Sequence, residues 1–278
     1  MNIHELIKLA IREDLGDGDH TSLATIPANA QGTAKLLIKE EGIIAGIEIA
    51  KRVFKTIDGD ITFKQNINDG DHVKAGDTGF EVSGKAISIL SAERLALNFM
   101  QRMSGIATFT REVVNAVKGT GTKILDTRKT TPNMRIFEKE AVRIGGGFNH
   151  RMGLYDMIMI KDNHIDFSGG IGQAIQRTKN YLREKEKSLQ IEIEVRDFKE
   201  LNEVIEAGGV QRILLDNFTP DKIREAVALI NGRYETEASG GISLNNVRDY
   251  AGAGVDYISL GALTHQIKSL DMSLKALN

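Results

Sequence analysis

The chain has 278 residues, 41% of them hydrophobic, and a formal net charge of −2. It can therefore bury a large core in one or two domains, and it has no basic excess with which to hold nucleic acid through bulk charge. The absence of cysteine excludes disulfides and thiolate metal sites.

No apolar run reaches membrane-spanning length. The N-terminal "MNIHELIKLAIREDLGDGD" lacks the apolar core of a signal peptide. The expectation is a soluble cytoplasmic protein without nucleic-acid or membrane partners. In residues 2–15, Ile3, Leu6, Ile7, Ala10 and Ile11 recur at helical spacing, and "GDGD" stops them. Short strand-like pieces follow, "GTAKLLIKE", "GIIAG", "DITFKQN" and "GFEVSG", parted by glycine-rich turns. They predict a small sheet-rich domain with one or two helices. A long helical stretch then covers "AISILSAERLALNFMQRMSGIATFTREVVNAV", with a break expected near Gly105.

From residue 122 strand and helix alternate. The predicted strands are "KILDT", "YDMIMIKD", "IEIEV", "RILLDN", "YETEAS" and "DYISLG", with helices near 133–144, 170–187, 198–207, 219–231 and 244–252. Such alternation predicts parallel strands wrapped by helices. An open six-unit α/β barrel fits better than a doubly wound sheet, because no Gly-x-Gly-x-x-Gly follows a strand and every strand ends in polar residues or glycine.

Active sites of such barrels lie at the C-terminal strand ends. Those ends carry Asp126, Arg128 and Lys129; then Lys161, Asp162, Asn163 and His164; then Glu192 and Glu194; then Asp216 and Asn217; then Glu237, Ser239, Gly240 and Gly241; and last Gly261. "GGGFNHRMG" adds His150 and Arg151. Clustered Arg and Lys suit carboxylate or phosphate. Acids on neighbouring strands suit Mg²⁺ or sugar hydroxyls. The glycine loops after the last two strands offer backbone N–H groups to a phosphate. Plainer readings stand beside these: one of Glu192 and Glu194 as a barrel-interior ion-pair partner, "SGG" as an ordinary turn, His164 as a loop cap. A non-catalytic phosphate sensor, or an aldolase-type barrel using Lys161 as a Schiff-base lysine, also remains open at this point.

The segment "LDTRKTTPNMRIFEKEAVRIGGGFNHRMGLYDMIMIKDNHI" resembles the signature region of the quinolinate phosphoribosyltransferases. "EDLGDGDHTS", "ERLALNFMQRMSGIAT", "IEIEV", "ILLDNF", "EASGGI" and "ISLGALTH" continue the likeness over essentially the whole chain. The resemblance implies an N-terminal α/β sandwich domain over 1–105 and an α/β barrel phosphoribosyltransferase domain over 106–278. A helix over 88–118 would bridge them, and the C-terminal tail could return to the first.

It implies transfer of phosphoribosyl from 5-phosphoribosyl 1-pyrophosphate to quinolinate with loss of CO₂, in de novo NAD biosynthesis, by a homodimer with shared active sites. Carried over by position, Arg128, His150, Arg151 and Lys161 would hold quinolinate, with Arg102 arriving from the partner subunit. Lys129 would reach the phosphoribosyl pyrophosphate. Glu194 and Asp216 would face the ribose hydroxyls and a Mg²⁺ that arrives with the pyrophosphate, with no resident metal. Ser239, Gly240, Gly241 and Gly261 would cradle the 5′-phosphate. Lys129, Lys161, Glu194 and Asp216 are the expected catalytic set. Phe148 departs from the histidine common at that place in the family, which implies a change of packing rather than lost activity.

Overall fold

The computed structural model describes residues 2–277. The chain forms two compact units that interleave in sequence rather than meeting at one boundary. Residues up to Arg111, Thr130–Gly146 and residues from Leu263 onward make the first; Glu112–Lys129 and Gly147–Ala262 make the second. No helix among the described residues is long and apolar enough to cross a membrane.

The chain opens with α1 (Ile3–Leu15), started by a reciprocal cap in which Asn2 accepts from Glu5 N–H and Glu5 accepts from Asn2 N–H. Then come α2 (His20–Thr25), β1 (Gln31–Ile38), β2 (Gly42–Ile43), α3 (Ile47–Ile57), β3 (Thr62–Gln65), β4 (His72–Val73), β5 (Thr78–Lys85) and α4 (Ala86–Ala116). The stretch "GIIAG" contributes only the two residues of β2, paired with β4. Helix α3 was not expected. Its β-branched composition suits a strand, but Ile47, Ala50, Val53 and Phe54 fall on one helical face and are buried. Phe54, Phe63 and Phe80 pack as a ring cluster with centroids 4.4–6.1 Å apart.

Helix α4 runs unbroken through Gly105. A Cβ there would meet the backbone carbonyl of Lys268 and the side chain of Ile267. The glycine thus serves the close approach of another chain segment and does not end the helix.

The remaining elements are β6 (Lys123–Leu125), α5 (Arg135–Ile144), β7 (Ile158–Ile160), α6 (Asp162–Ser168), α7 (Ile171–Glu184), β8 (Ile191–Val195), α8 (Phe198–Ala207), β9 (Arg212–Asp216), α9 (Pro220–Ile230), β10 (Glu235–Ser239), α10 (Val247–Gly252), β11 (Tyr257–Ser259), α11 (Ala262–His265) and β12 (Met272–Leu277). In the first unit β12 runs antiparallel to β1, from Thr33 opposite Leu277 to Ile38 opposite Met272, and the sheet order is β12-β1-β5-β3.

In the second unit six parallel strands lie in the order β6-β11-β10-β9-β8-β7. The last strand returns to the first, while β6 and β7 remain unpaired with each other; this is the open barrel. The backbone of Phe148 partly lines the open side of β6, donating to Ile124 O and accepting from Asp126 N–H. Its ring is half exposed and lies 5.6 Å from Lys123 Nζ. The backbone thus does the pairing, and no core contact depends on which side chain stands there.

Candidate active site

Strand alternation builds the site in two layers. On β8, Ile191, Ile193 and Val195 are buried, and Glu192 and Glu194 alternate with them. The latter two share a face two residues apart, one deeper and one nearer the C-terminal end. Arg212 and Asp216 on β9, and Glu235, Glu237 and Ser239 on β10, follow the same period.

The upper layer is where the strands end. Lys161, just past β7, places Nζ 2.6 Å from Glu194 Oε2. Asp216 at the end of β9 lies above its ordinary carboxyl range, first because of burial and then because of the Glu194 charge, with Lys161 opposing. The three form one compact acid–base group. His164 accepts from Lys161 N–H at 2.9 Å and caps the turn into α6.

After β10, Gly240 (φ 93°) and Gly241 (φ 63°) have left-handed backbones. A Cβ on Gly240 would strike Asn217, 2.9 Å from its backbone nitrogen, whereas one on Gly241 would meet nothing within 4 Å. Asn217 is itself left-handed (φ 56°) and donates its N–H to Ser239 O at 2.9 Å. The Asp216–Asn217 and Ser239–Gly241 turns are thus locked together, with an open surface over Gly241. Gly261 follows β11, half-buried.

The cations come from two loops. Arg128 and Lys129 follow β6 and are exposed; Lys129 N–H donates to Thr127 Oγ1 at 3.0 Å. Arg151 is half-buried, with Nη1 3.2 Å from Met157 O. Its pKa lies below the ordinary arginine value, first through burial and then through the charge of Arg128. Two guanidiniums therefore repel each other at the barrel mouth, the arrangement an anion between them would relieve. The loop that carries Arg151 is tied by Asp156, whose carboxylate accepts from Met152 and Gly153 N–H at 2.6 and 2.8 Å. That loop geometry shortens β7 to Ile158–Ile160, where a strand from Tyr155 was expected.

The deeper layer is a buried polar network that the sequence only hinted at. Asp126 accepts from His150 N–H at 2.8 Å. His150 Nδ1 accepts from Arg151 N–H at 2.7 Å, and Nε2 lies 2.9 Å from Glu192 Oε2 and 3.5 Å from Glu237 Oε2. Arg212 joins Glu237 and Glu235, each at 3.1 Å, and stacks 4.0 Å from the Tyr257 ring centroid.

Burial works against a charge on His150, while Glu192 and Glu237 favour one. Nδ1 accepts from Arg151 N–H at 2.7 Å, which a doubly protonated ring cannot do, so in this geometry the ring is neutral with its one proton on Nε2, toward the two carboxylates. Burial and the Glu237 charge push Glu192 up to about 7. Glu237 lies below its ordinary value, because His150, Ser259 and Arg212 outweigh its burial. His150, Glu192 and Glu237 have the mutual spacing of a metal site, within 4.8 Å. Arg212 already supplies positive charge there, and a divalent ion would add more in a place without solvent. The network reads as an ionic core, the role the sequence left open to one of Glu192 and Glu194, and it falls to Glu192.

Arg102 lies in the first unit, on α4. Its Nε is 2.7 Å from Glu138 Oε1, and its Nη2 donates to Thr131 Oγ1 and Thr264 O at 2.9 and 3.0 Å. Glu138, on α5, is fully buried and also accepts from Thr131 N–H at 3.1 Å. These bonds leave Nη1 out. Glu138 was not singled out in the sequence, since nothing in its spacing marks it.

Parallel strands, a cationic mouth, a carboxylate pair and open glycine turns define an α/β-barrel enzyme built for a polyanionic substrate. The chain belongs to the quinolinate phosphoribosyltransferase family: the C-terminal domain of quinolinate phosphoribosyl transferase matches residues 106–275 and the N-terminal domain matches 19–104.

The chain is 46% identical to quinolinate phosphoribosyltransferase [decarboxylating] 2b, mitochondrial, of Nicotiana tabacum, over 99% of this chain and 82% of that protein. It is 43% identical to a probable nicotinate-nucleotide pyrophosphorylase [carboxylating] of Bacillus subtilis, over 99% of this chain and 93% of the other. The crystal structure of NadC from Streptococcus pyogenes superposes with a TM-score of 0.93 at 41% identity, covering 99% of this chain and 97% of that one.

Proposed function

We infer that the barrel mouth carries the reaction for which the family is named: phosphoribosyl transfer from 5-phosphoribosyl 1-pyrophosphate to quinolinate with decarboxylation, giving nicotinate mononucleotide, pyrophosphate and CO₂ for NAD biosynthesis. The observation that carries this reading is the mutually repelling Arg128–Arg151 pair beside the Lys161–Glu194–Asp216 group. A planar dicarboxylate satisfies the first and a polyol pyrophosphate the second.

Arg128, Arg151 and Lys161 hold the two carboxylates, seated on His150 and joined by Arg102 of the partner subunit. The pyridine nitrogen attacks C1 of the ribose with its own lone pair, and the C1–O bond to pyrophosphate breaks. No covalent nucleophile is needed from the protein. The ring nitrogen, now cationic, accepts the electron pair left as the C2 carboxylate departs, and a proton replaces CO₂ at C2. Lys129 reaches toward the phosphoribosyl pyrophosphate, and the cations at the mouth stabilise the charge that develops on the leaving group. Ser239, Gly240, Gly241 and Gly261 take the 5′-phosphate. Holding both reactants in register can be worth about 7–11 kcal/mol.

Glu194 and Asp216 face the ribose hydroxyls. They also fit a hard divalent cation that brings most of its oxygen ligands with it, since two carboxylates, one already paired with Lys161, are too few for a closed site. Mg²⁺ bound with pyrophosphate would neutralise the leaving group's charge.

The working unit is a homodimer. Its support is the unused Nη1 of an otherwise anchored Arg102 and, on the second unit, exposed Leu154 and Tyr155 near the unpaired side of β7. The test is substrate choice: quinolinate with phosphoribosyl pyrophosphate and Mg²⁺ yields nicotinate mononucleotide, and nicotinate in its place yields none. Equal turnover of nicotinate would overturn the reading, because a site built for two carboxylates penalises one that leaves a cation unmatched by roughly 2–5 kcal/mol.

A further inference from the structure

Asn217 stands one residue past β9, between the acid that closes that strand and the glycine turn that follows β10. Its backbone is left-handed (φ 56°), a conformation that strains most side chains and that asparagine tolerates. Its N–H donates to Ser239 O at 2.9 Å, one step beyond the last pairing of the two strands, Ser239 with Asp216. Its side chain folds back on its neighbour, and Nδ2 donates to Asp216 Oδ2 at 2.6 Å. A carboxylate only accepts, so the amide must turn its NH₂ toward Asp216. The amide oxygen then faces Gly240, where a Cβ would collide with it. The amide is thus wedged between Asp216 and the turn.

Asp216 needs this hold. Its carboxylate is half-buried, and the like charge of Glu194 bears on it. Lys161 is already drawn to Glu194 at 2.6 Å. Among the described residues, Asn217 is the one side chain that hydrogen-bonds the Asp216 carboxylate. With Oδ2 held in this way, Oδ1 is left to face a ligand.

We propose that Asn217 is a positioning residue that aims the Asp216 carboxylate at the ribose of phosphoribosyl pyrophosphate. Its wedged amide sets Asp216 at a fixed place against the Ser239–Gly241 turn, so the ribose hydroxyls and the 5′-phosphate are gripped in one register. Asn217 acts through Asp216 and makes no substrate contact of its own. The proposal rests on the reading that Asp216 faces the ribose and that the turn takes the phosphate.

The experiment is a double-mutant cycle in the full-length enzyme, Asn217→Gly against Asp216→Ala. Glycine keeps the left-handed backbone and removes only the amide. Calorimetry reads the Kd for phosphoribosyl pyrophosphate with Mg²⁺ and phthalate present. Phthalate is a dicarboxylate without the ring nitrogen, so it can fill the place of quinolinate and cannot attack. Initial rates of Asn217→Gly read the quinolinate KM, and thermal unfolding reads the midpoint.

The expected result is that Asn217→Gly raises the Kd about fivefold, the effect of one ordinary net hydrogen bond, while the midpoint is unmoved. The quinolinate KM should stay within about twofold of wild type, and beside Asp216→Ala the same change should raise the Kd less than about twofold, since no carboxylate remains to aim. Equal losses of affinity in the two backgrounds would show that Asn217 touches the substrate itself and would overturn the proposal. An unchanged Kd in the wild-type background would also overturn it. So would a lowered midpoint without loss of affinity, or failure of Asn217→Gly to fold, because either would make the amide a prop of the fold rather than a guide for Asp216. If Asp216→Ala alone leaves the Kd unchanged, the reading of Asp216 as a ribose ligand fails and takes this proposal with it, a result distinct from the others.

Discussion

Replacing Glu138 by glutamine should loosen Arg102 and impair quinolinate capture without abolishing the fold. The carboxylate is wholly buried and sits 2.7 Å from Arg102 Nε, while the Arg102 side chain is 29% exposed. At an effective dielectric near 20, opposite charges at that distance attract by about 6 kcal/mol before desolvation is deducted. What survives for a hydrogen bond to a charged group is about 1.5–3 kcal/mol.

Glutamine keeps the volume and can keep an acceptor on Arg102 Nε or on Thr131 N–H, but not the negative charge that faces both. A net loss of about 2 kcal/mol is therefore expected. Glu138→Ala, which strands a partly buried guanidinium, should lose about 3–5 kcal/mol. Urea titration followed by circular dichroism measures the stability. Initial-rate kinetics should show the quinolinate KM of Glu138→Gln raised about tenfold, the equivalent of about 1.4 kcal/mol, and the KM for phosphoribosyl pyrophosphate within twofold of wild type. Wild-type stability together with wild-type quinolinate KM would refute the claim that Glu138 sets the aim of Arg102.

Arg102→Ala and Lys161→Ala should each be nearly inactive, but co-refolded they should recover about a quarter of wild-type activity, since half the dimers are mixed and each mixed dimer has one intact site; activity at the parental level would place Arg102 in its own chain's site. Gly240→Ala should cost more than Gly241→Ala, because only the former drives a Cβ into Asn217, while both force alanine into the left-handed region that glycine favours. About 1 kcal/mol for Gly241→Ala and clearly more for Gly240→Ala are expected in thermal unfolding, and the reverse order would contradict the locked-turn account. Glu194→Gln removes the charge that helps raise Asp216, so the Asp216 carboxyl should titrate at lower pH in the variant when followed by carbon NMR. Because a raised carboxyl favours the folded state only below its folded pKa, the same change should also lessen the loss of stability as pH rises through the Asp216 titration; an unmoved or higher Asp216 pKa would show that the two carboxylates do not interact.

The strand–helix alternation was legible because burial imposes it locally. In "IEIEV" the apolar residues alternate with charges that have interior work to do, and in "RILLD" two charges bracket an apolar run; β8 and β9 fall where these patterns place them. Elements shaped by distant contacts were not legible. Helix α6 is a polar seven-residue turn started by His164, without an apolar stripe. Helix α4 ignores Gly105 because of a neighbour 163 positions away in the chain, Lys268.

The same division holds in the site. Strand-end residues such as Lys161, Glu194, Asp216 and Ser239 could be picked out because the barrel's topology gathers strand ends. The partners that aim them could not. Arg212 stands at the start of β9, remote in sequence from His150, and Glu138 is one of two acids on an amphipathic helix. That one of Glu192 and Glu194 is an interior ion-pair partner was legible from their two-residue spacing, though not which; Glu237 gave no such signal.

The central claim is that one carboxylate of quinolinate is lost from the ring position next to the nitrogen that receives the ribose. Quinolinate labelled with ¹³C in the C2 carboxylate, given with phosphoribosyl pyrophosphate and Mg²⁺, tests it directly by mass spectrometry of gas and product. The account predicts labelled CO₂ equimolar with unlabelled nicotinate mononucleotide, and none when phosphoribosyl pyrophosphate is omitted. Retention of the label in the product, or release of labelled CO₂ without phosphoribosyl pyrophosphate, would contradict it.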